Sequence, residues 1–301
     1  MNVLQKIEKA ESPRKKAALP RAPRTGSAGP PLRWVGGKTA LLPHILPLVP
    51  ETFRRYHEPF VGGGALYWAL ANAGKLDGPK MIARLGDTNV QLVRMFWALQ
   101  ENVEDVIAEL AKLPHDKDFY NEFRRSPFAR SRVNAEAAAW VLYLSRLSYN
   151  GLWRVNKKGE LNTPWGKRLK TSVYDPATLR ACAEVLRRVK TEIVQGSFLT
   201  ALEAVGKDDL VFVDPPYIGA ESFSSYTSAG PFTMELHEKL RNSLVNLKER
   251  GAHVIACNSD TPATRALYTQ ELGFTLREVT KFRSVGANAS RRGRVTELLI
   301  T

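Results

Sequence analysis

Disulfide and structural-metal chemistry have little material in this chain. Only two cysteines, Cys182 and Cys257, occur in 301 residues. Two cysteines make no framework, neither belongs to a Cys-x-x-Cys pair, and neither has a histidine at zinc-ligand spacing. A reducing, cytoplasmic setting and no metal are the expectation. Long hydrophobic runs are missing as well. No stretch approaches the roughly 18 uninterrupted apolar residues of a membrane span, and the first residues lack the apolar centre of a signal peptide. No membrane partner is therefore expected. A Gly-x-x-x-x-Gly-Lys-Ser/Thr loop is absent, which disfavours a P-loop ATPase. Acidic side chains are also in deficit, 30 Asp+Glu against 44 Lys+Arg, for a formal charge of +14. An excess of that size favours a polyanionic partner, most simply nucleic acid. Residues 1–30 carry seven basic and two acidic side chains, so most of the excess lies on the rest of the chain.

The length suits one large domain, or a core domain with a smaller insert. Residues 1–30 are rich in Pro, Ala, Lys and Arg, with few large apolar side chains, and read as a disordered basic arm. Further on, strands are expected at 56–61 and 81–85, with helices at 39–48, 65–73, 90–99 and 103–112. This strand–Gly–helix–strand–acid–helix order opens a nucleotide-type βαβ unit. Between 115 and 190 the parallel-strand signals vanish and aromatic and basic residues interleave. Residues 135–147 read as a helix, and 150–170 as a polar, basic segment holding Trp153 and Trp165. The βα pattern resumes with strands at 193–194, 210–213 and 252–257, helices at 233–250 and 262–272, and closing strands at 275–281 and 295–300. The expected architecture is a Rossmann-like α/β sheet, 31–114 and 191–301, interrupted by a mostly helical insert, 115–190.

The most informative residues are Asp214-Pro215-Pro216-Tyr217. They follow the apolar run 210–213, at the strand edge where open α/β sheets bind ligands. Proline locks its own φ and offers a carbonyl without an N–H. The Asp214 carboxylate and the Pro215 carbonyl can thus form a fixed pair of acceptors for an exocyclic amine. The Tyr217 ring would stack on the base that carries it. Such a site suits methylation of the amino group of a flipped-out nucleobase. The same four residues also describe a strand that ends in a Pro-Pro turn with an Asp cap.

Two glycine-rich turns precede this motif. Glu58-Pro59-Phe60-Val61-Gly62-Gly63-Gly64 stands between an expected strand and helix, where glycine lets a backbone approach a cofactor. Asp87 ends the next strand, 25 residues after Gly62, a place for a carboxylate that accepts ribose hydroxyls. Trp34-Val35-Gly36-Gly37-Lys38 puts an aromatic ring and an ammonium beside another Gly-Gly turn. They could hold the adenine and carboxylate ends of a small cofactor, or be a core Trp and a solvated Lys. Asp260, in Asn258-Ser259-Asp260-Thr261, reads as a helix cap. Arg283, Arg291, Arg292 and Arg294 read as DNA backbone contacts or as plain surface.

The order Trp-Val-Gly-Gly-Lys, Glu-Pro-Phe-x-Gly-x-Gly, an insert with Tyr149-Asn150-Gly151-Leu152-Trp153-Arg154-Val155-Asn156, then Asp-Pro-Pro-Tyr resembles the Dam family of S-adenosylmethionine-dependent DNA adenine-N6 methyltransferases, alpha group. The likeness runs from about residue 31 to 301. It implies S-adenosyl-L-methionine as methyl donor, no metal, double-stranded DNA as partner, and a monomer with no obligatory protein partner. It implies a bacterial nucleoid or phage-encoded setting. By position it assigns Trp34, Lys38, Phe60, Gly62 and Asp87 to the donor, with Asp214 beside both donor and target amine. Asp214, Pro215 and Tyr217 become the catalytic set. In members that methylate GATC, the Leu, Arg and Pro matching Leu152, Arg154 and Pro164 contact bases, while the aromatic matching Tyr149 lies against DNA next to Asn150. Similar inserts occur in relatives that read other sites. Two departures stand out: Leu144-Ser145-Arg146 replaces Leu-Asn-Arg or Leu-Asn-Lys, and Arg168 stands where a GATC-reading member has Tyr.

The residues of the insert agree with that role on their own chemistry. Arg154 offers a planar double donor for guanine O6 and N7, while Leu152 and Pro164 could abut a thymine methyl. Lys157, Lys158, Lys167, Arg168 and Lys170 would meet phosphates, which sets register without reading sequence. Amino methylation of RNA or of cytosine N4 uses the same four-residue chemistry, and a DNA-binding relative that has lost catalysis would keep the same basic surface.

Overall fold

A computed structural model describes residues 27–126, 134–156, 160–167, 172–218, 230–283 and 293–301. Arg168, Lys170, Lys157 and Lys158 lie outside the described residues, as do Arg291, Arg292 and most of the expected arm. Ala28, at the end of that arm, is buried, and its carbonyl accepts a hydrogen bond from Asn72 Nδ2 at 2.7 Å. Packing therefore reaches into the last residues assigned to the arm.

Seven strands form one sheet: β1 Tyr56–Glu58, β2 Ala83–Asp87, β3 Glu192–Gln195, β4 Leu210–Val213, β5 His253–Ser259, β6 Leu276–Arg283 and β7 Gly293–Ile300. Their order is β3-β2-β1-β4-β5-β7-β6. Neighbours from β3 to β5 are parallel, and β7 runs antiparallel between β5 and β6. Nine helices are described: α1 Leu42–Ile45, α2 Ala65–Asn72, α3 Val90–Ala111, α4 Lys117–Phe123, α5 Ala135–Leu147, α6 Pro176–Arg188, α7 Phe198–Glu203, α8 Met234–Glu249 and α9 Pro262–Leu267. This is the expected Rossmann-like α/β sheet with helical insertions. None of the described helices is long and apolar enough to cross a membrane.

Strand side chains alternate between faces, and each face has its own core. Leu210 and Phe212 of β4, with Ile255 and Cys257 of β5, pack in the cluster that holds α2, α3, α5 and α6. Val211 and Val213, with Val254 and Ala256, pack under α7 and α8. Helix α6 falls inside the segment 115–190, yet its Leu179, Cys182 and Leu186 belong to the first core.

Several boundaries moved for physical reasons. β1 stops at Glu58 rather than running to 61, since Pro59 cannot donate to a ladder. The two helices expected at 90–99 and 103–112 form one span, kinked where Asn102 leaves helical geometry at φ −137°. Asp260 does not cap α9. Thr261 does, accepting from Thr264 N at 3.1 Å, while Asp260 takes both guanidinium arms of Arg265. Residues 148–156 and 160–166, expected as a polar segment after the helix 135–147, carry bridges rather than α-helix. Antiparallel bridges join Ser148 to Trp165 and Val155 to Leu161, and Asn156 N donates to Glu160 O at 2.9 Å. The edge opposite the site is anchored by buried Asp209, which accepts from Arg54, Arg55 and His57.

Candidate active site

The parallel strands deliver their C-terminal ends to one edge. Glu58 ends β1, Asp87 ends β2, Asp214 follows β4, and Asn258 and Ser259 close β5. The antiparallel β7 brings a sixth side chain to that edge, because Glu297 pairs in register with Ser259.

The turn after β1 is built around Gly62 and Gly64. Gly62 has φ +47°, and a Cβ there would lie 2.8 Å from Trp34 Cδ1, so both conformation and space require glycine. Its N–H donates to Asp87 Oδ2 at 3.2 Å, and Asn89 N donates to Oδ1 at 2.9 Å. Burial pushes the Asp87 carboxyl up to about 6, against the pull of those N–H groups. Phe60 stacks on Phe198 and meets the edge of Phe232, at ring-centre distances of 5.4 and 5.7 Å.

Lys38 and Asp214, drawn from motifs 176 residues apart in the chain, form an ion pair with Nζ–Oδ2 at 2.6 Å. The ammonium also donates to Gly36 O at 2.6 Å and stands 4.9 Å from the centre of the Tyr217 ring. Burial alone would lower the Lys38 pKa. Burial is the largest single influence, but the Asp214 carboxylate, Cys257 and Glu297 together outweigh it, and the net shift is upward. Tyr217 Oη donates to Glu297 Oε2 at 3.0 Å. Burial and the surrounding carboxylates hold this phenol far above its ordinary range, so it stays a donor. Asn258 Oδ1 accepts from Ile218 N at 3.2 Å, and Ser259 Oγ donates to Ile218 O at 2.9 Å. The backbone after Tyr217 is thereby clamped to the end of β5. Pro215 is buried within this arrangement.

Glu58 sits just beneath, 2% exposed, and accepts from Tyr56 Oη at 2.8 Å. Burial, the largest influence, pushes its carboxyl up to about 8. A pKa raised in the folded state means that the fold gains stability from the bound proton, and loses it as pH climbs from the ordinary carboxylate range to about 8. Glu58→Gln mimics the protonated form. Its melting temperature should match the wild type at pH ~5 and exceed it at pH ~9. A gap between the two proteins that ignores pH would refute a protonated Glu58.

The insert meets this edge through Trp153, which is buried with its ring centre 5.5 Å from that of Trp34 and 5.5 Å from that of Trp140. Arg33 packs over Gly151, where a Cβ would lie 2.6 Å from Arg33 Cγ. From there the insert alternates. Trp153, Leu161, Thr163 and Trp165 point inward, while Tyr149, Arg154, Asn162 and Pro164 are exposed. Tyr149 N donates to Pro164 O at 2.8 Å, and Arg154 Nε donates to Asn162 Oδ1 at 2.9 Å. Asn150 adopts φ +56° and Leu152 is half-buried. Lys167 is exposed. Thus Tyr149, Arg154 and Pro164 are exposed together on the insert, and Lys38, Asp214, Pro215 and Tyr217 gather at the C-terminal edge of the parallel strands. Phe60, Gly62 and Asp87 line the adjoining turn.

Glu297 stands in no motif that the sequence displays. A lone acid flanking the apolar residues 298–300 could have marked it, as a buried charge in an inner strand. Phe198 and Phe232 were likewise missed, since single aromatics at helix starts carry no pattern.

The chain is similar to known proteins over most of its length. A family model described as D12 class N6 adenine-specific DNA methyltransferase matches residues 34–285. The type II methyltransferase M1.LlaDCHI of Lactococcus lactis subsp. cremoris is 33% identical over 278 residues, covering 89% of this chain and 93% of the relative. The type II methyltransferase M.MjaIII of Methanocaldococcus jannaschii is 30% identical, covering 90% of this chain and 98% of its own length. A DNA adenine methylase of Vibrio cholerae is 30% identical, with 89% and 94% covered. With the matched span running from Trp34 past the Asp-Pro-Pro-Tyr edge, and with relatives covered almost end to end, the chain belongs to the D12 class of N6 adenine-specific DNA methyltransferases.

Proposed function

We propose that this protein transfers a methyl group from S-adenosylmethionine to N6 of an adenine flipped out of duplex DNA, with GATC as the site first to be tested. The observation that carries the reading is the Asp214–Pro215 pair at the end of β4, with Lys38, Tyr217 and Glu297 packed around it. Membership of the family supports the reaction class.

The residues at the edge suit the donor. Asp87 offers a carboxylate for ribose hydroxyls, Lys38 an ammonium for a carboxylate, and Phe60 and Trp34 flat apolar surfaces for a base. When bound, S-adenosylmethionine supplies an electrophilic methyl group on a sulfonium. The protein prepares the nucleophile. Adenine N6 is a poor one, because its lone pair is delocalised into the ring. Asp214 and the Pro215 carbonyl accept its two hydrogens, push electron density back onto nitrogen and favour a tetrahedral geometry. Tyr217 stacks on the extruded base. Catalysis is then mainly positioning and electrostatic preorganisation. Neither cysteine acts as a nucleophile, and both are buried.

In the insert, the outward face of Tyr149, Arg154 and Pro164 would meet the DNA grooves, with Arg154 reading a guanine and Leu152 and Pro164 abutting a thymine methyl. Lys157, Lys158 and Lys167 would hold phosphates. Residues 115–190 would then act as the target-recognition unit, and 31–114 with 191–301 as the catalytic unit.

The test is transfer of a labelled methyl group by the full chain to duplex DNA, followed by digestion to nucleosides and mass spectrometry. N6-methyladenine is the expected product, and modified-base sequencing of DNA from expressing cells should place it in GATC. Methyl groups on adenine in another motif would overturn GATC alone. Label found in N4-methylcytosine or only in RNA would overturn the adenine reading. DNA binding without transfer would identify a relative that has lost catalysis.

A further inference from the structure

Tyr217 is held at more points than its role as a stacking platform alone requires. Pro216 fixes the backbone before it, and Asn258 and Ser259 clamp Ile218 after it. The ring is held separately from the backbone. One face of that ring meets the Lys38 ammonium at 4.9 Å, and the ring packs half-buried against the first core, so a base would stack on the part that stays exposed. The ring tip is tied to Glu297 Oε2 at 3.0 Å. Glu297 is 8% exposed and lies on β7, which runs antiparallel between β5 and β6, paired with Ser259 on one side and Val279 on the other. A carboxylate in an inner strand is costly unless it is well partnered. Here its partners are the phenol of Tyr217 and the charge of Lys38.

We propose that Glu297 is a positioning residue of the methyl transfer, which fixes the Tyr217 ring in the orientation that stacks on the extruded base. The inference rests on the adenine-methylation reading and adds a residue to it. Glu297 touches no substrate itself. It acts by removing the rotational freedom of the ring, so that the base meets a preformed surface and its amine arrives at Asp214 in register.

The test pairs single-turnover methylation with the fluorescence of 2-aminopurine placed at the target adenine. That probe brightens when it leaves the helix and is quenched when it stacks on an aromatic ring. Glu297→Ala and Tyr217→Phe should each slow transfer about tenfold, the effect of one hydrogen bond to a charged group. Both should brighten the probe in the complex, because the extruded base loses its fixed platform. Glu297→Gln keeps an acceptor for the phenol and should recover the rate to within about threefold. The double variant Glu297→Ala with Tyr217→Phe should be no slower than either single one, since both remove the same bond. Donor affinity should stay unchanged throughout.

Transfer by Glu297→Ala at the wild-type rate with unchanged probe fluorescence would overturn the proposal. So would multiplying losses in the double variant, or a Gln variant as slow as the Ala variant, which would assign the effect to charge. Tyr217→Phe leaves the sheet untouched, so it reads the bond even where Glu297→Ala fails to fold. Wild-type protein run in parallel separates the two levels: no N6-methyladenine from it overturns the parent reading and this inference together.

Discussion

Asp214→Ala should stop methyl transfer while the protein stays folded. Asp214 follows the last residue of β4 and its side chain is 19% exposed, so it supports none of the strand ladder. Its loss leaves Lys38 with the Gly36 carbonyl and the charge of Glu297, so the ammonium is not stranded. The target amine, by contrast, loses the only anionic acceptor of the Asp214–Pro215 pair. A group that acts mainly on the transition state should cost at least ~2.7 kcal/mol when removed, on the order of a hundredfold in rate, by analogy with lost oxyanion-hole donors. Asp214→Asn keeps an oxygen and the shape but not the charge, and should fall between. Single-turnover transfer to duplex DNA measures the rate, and circular dichroism the fold. Activity of the alanine variant within threefold of wild type would remove Asp214 from catalysis.

Much of this site was legible in the chain because its parts sit in local patterns. An apolar run ending in Asp-Pro-Pro-Tyr marks a strand end, and a glycine run after a short strand marks a turn. Both describe a backbone that a few neighbouring residues decide. The contacts between the parts were not legible. Lys38 was read as a donor ligand, and its pairing with Asp214 depends on how residues 36–38 fold across the end of β4. Glu297 reaches Tyr217 only because β7 inserts antiparallel between β5 and β6. Nothing within 295–300 states its partner strand, since a buried run pairs equally well in either direction. The bridged residues of 148–156 and 160–166 were hidden for another reason. Their alternation, with Trp153, Leu161, Thr163 and Trp165 inward, is broken by glycines and charges that read as loop.

The pairing of Lys38 with Asp214 leads to the second large effect. One buried ammonium stands beside two carboxylates, Asp214 directly at 2.6 Å and Glu297 within electrostatic reach. Lys38 is 4% exposed and Glu297 8%. Removing the cation is therefore worse than removing either anion, because two negative charges then share one poorly solvated edge. Lys38→Met keeps most of the apolar stem and loses the charge. It should destabilise the fold by about 3 kcal/mol, the low end for breaking a buried pair, since Asp214 keeps some access to water. Adding Asp214→Asn should return much of that stability, because the unpaired charge beside Glu297 is gone. Transfer should stay abolished in the double variant, which separates folding from chemistry. Donor binding reads the remaining role. If Lys38 also meets the carboxylate of S-adenosylmethionine, calorimetry without DNA should show weakened binding in Lys38→Met that Asp214→Asn does not restore. The ammonium would then pass from Asp214 to the donor as the donor binds, freeing the acceptor that the adenine amine needs. A donor affinity unchanged in Lys38→Met would leave this lysine as a partner of Asp214 alone. A double variant no more stable than Lys38→Met would reject the buried charge balance.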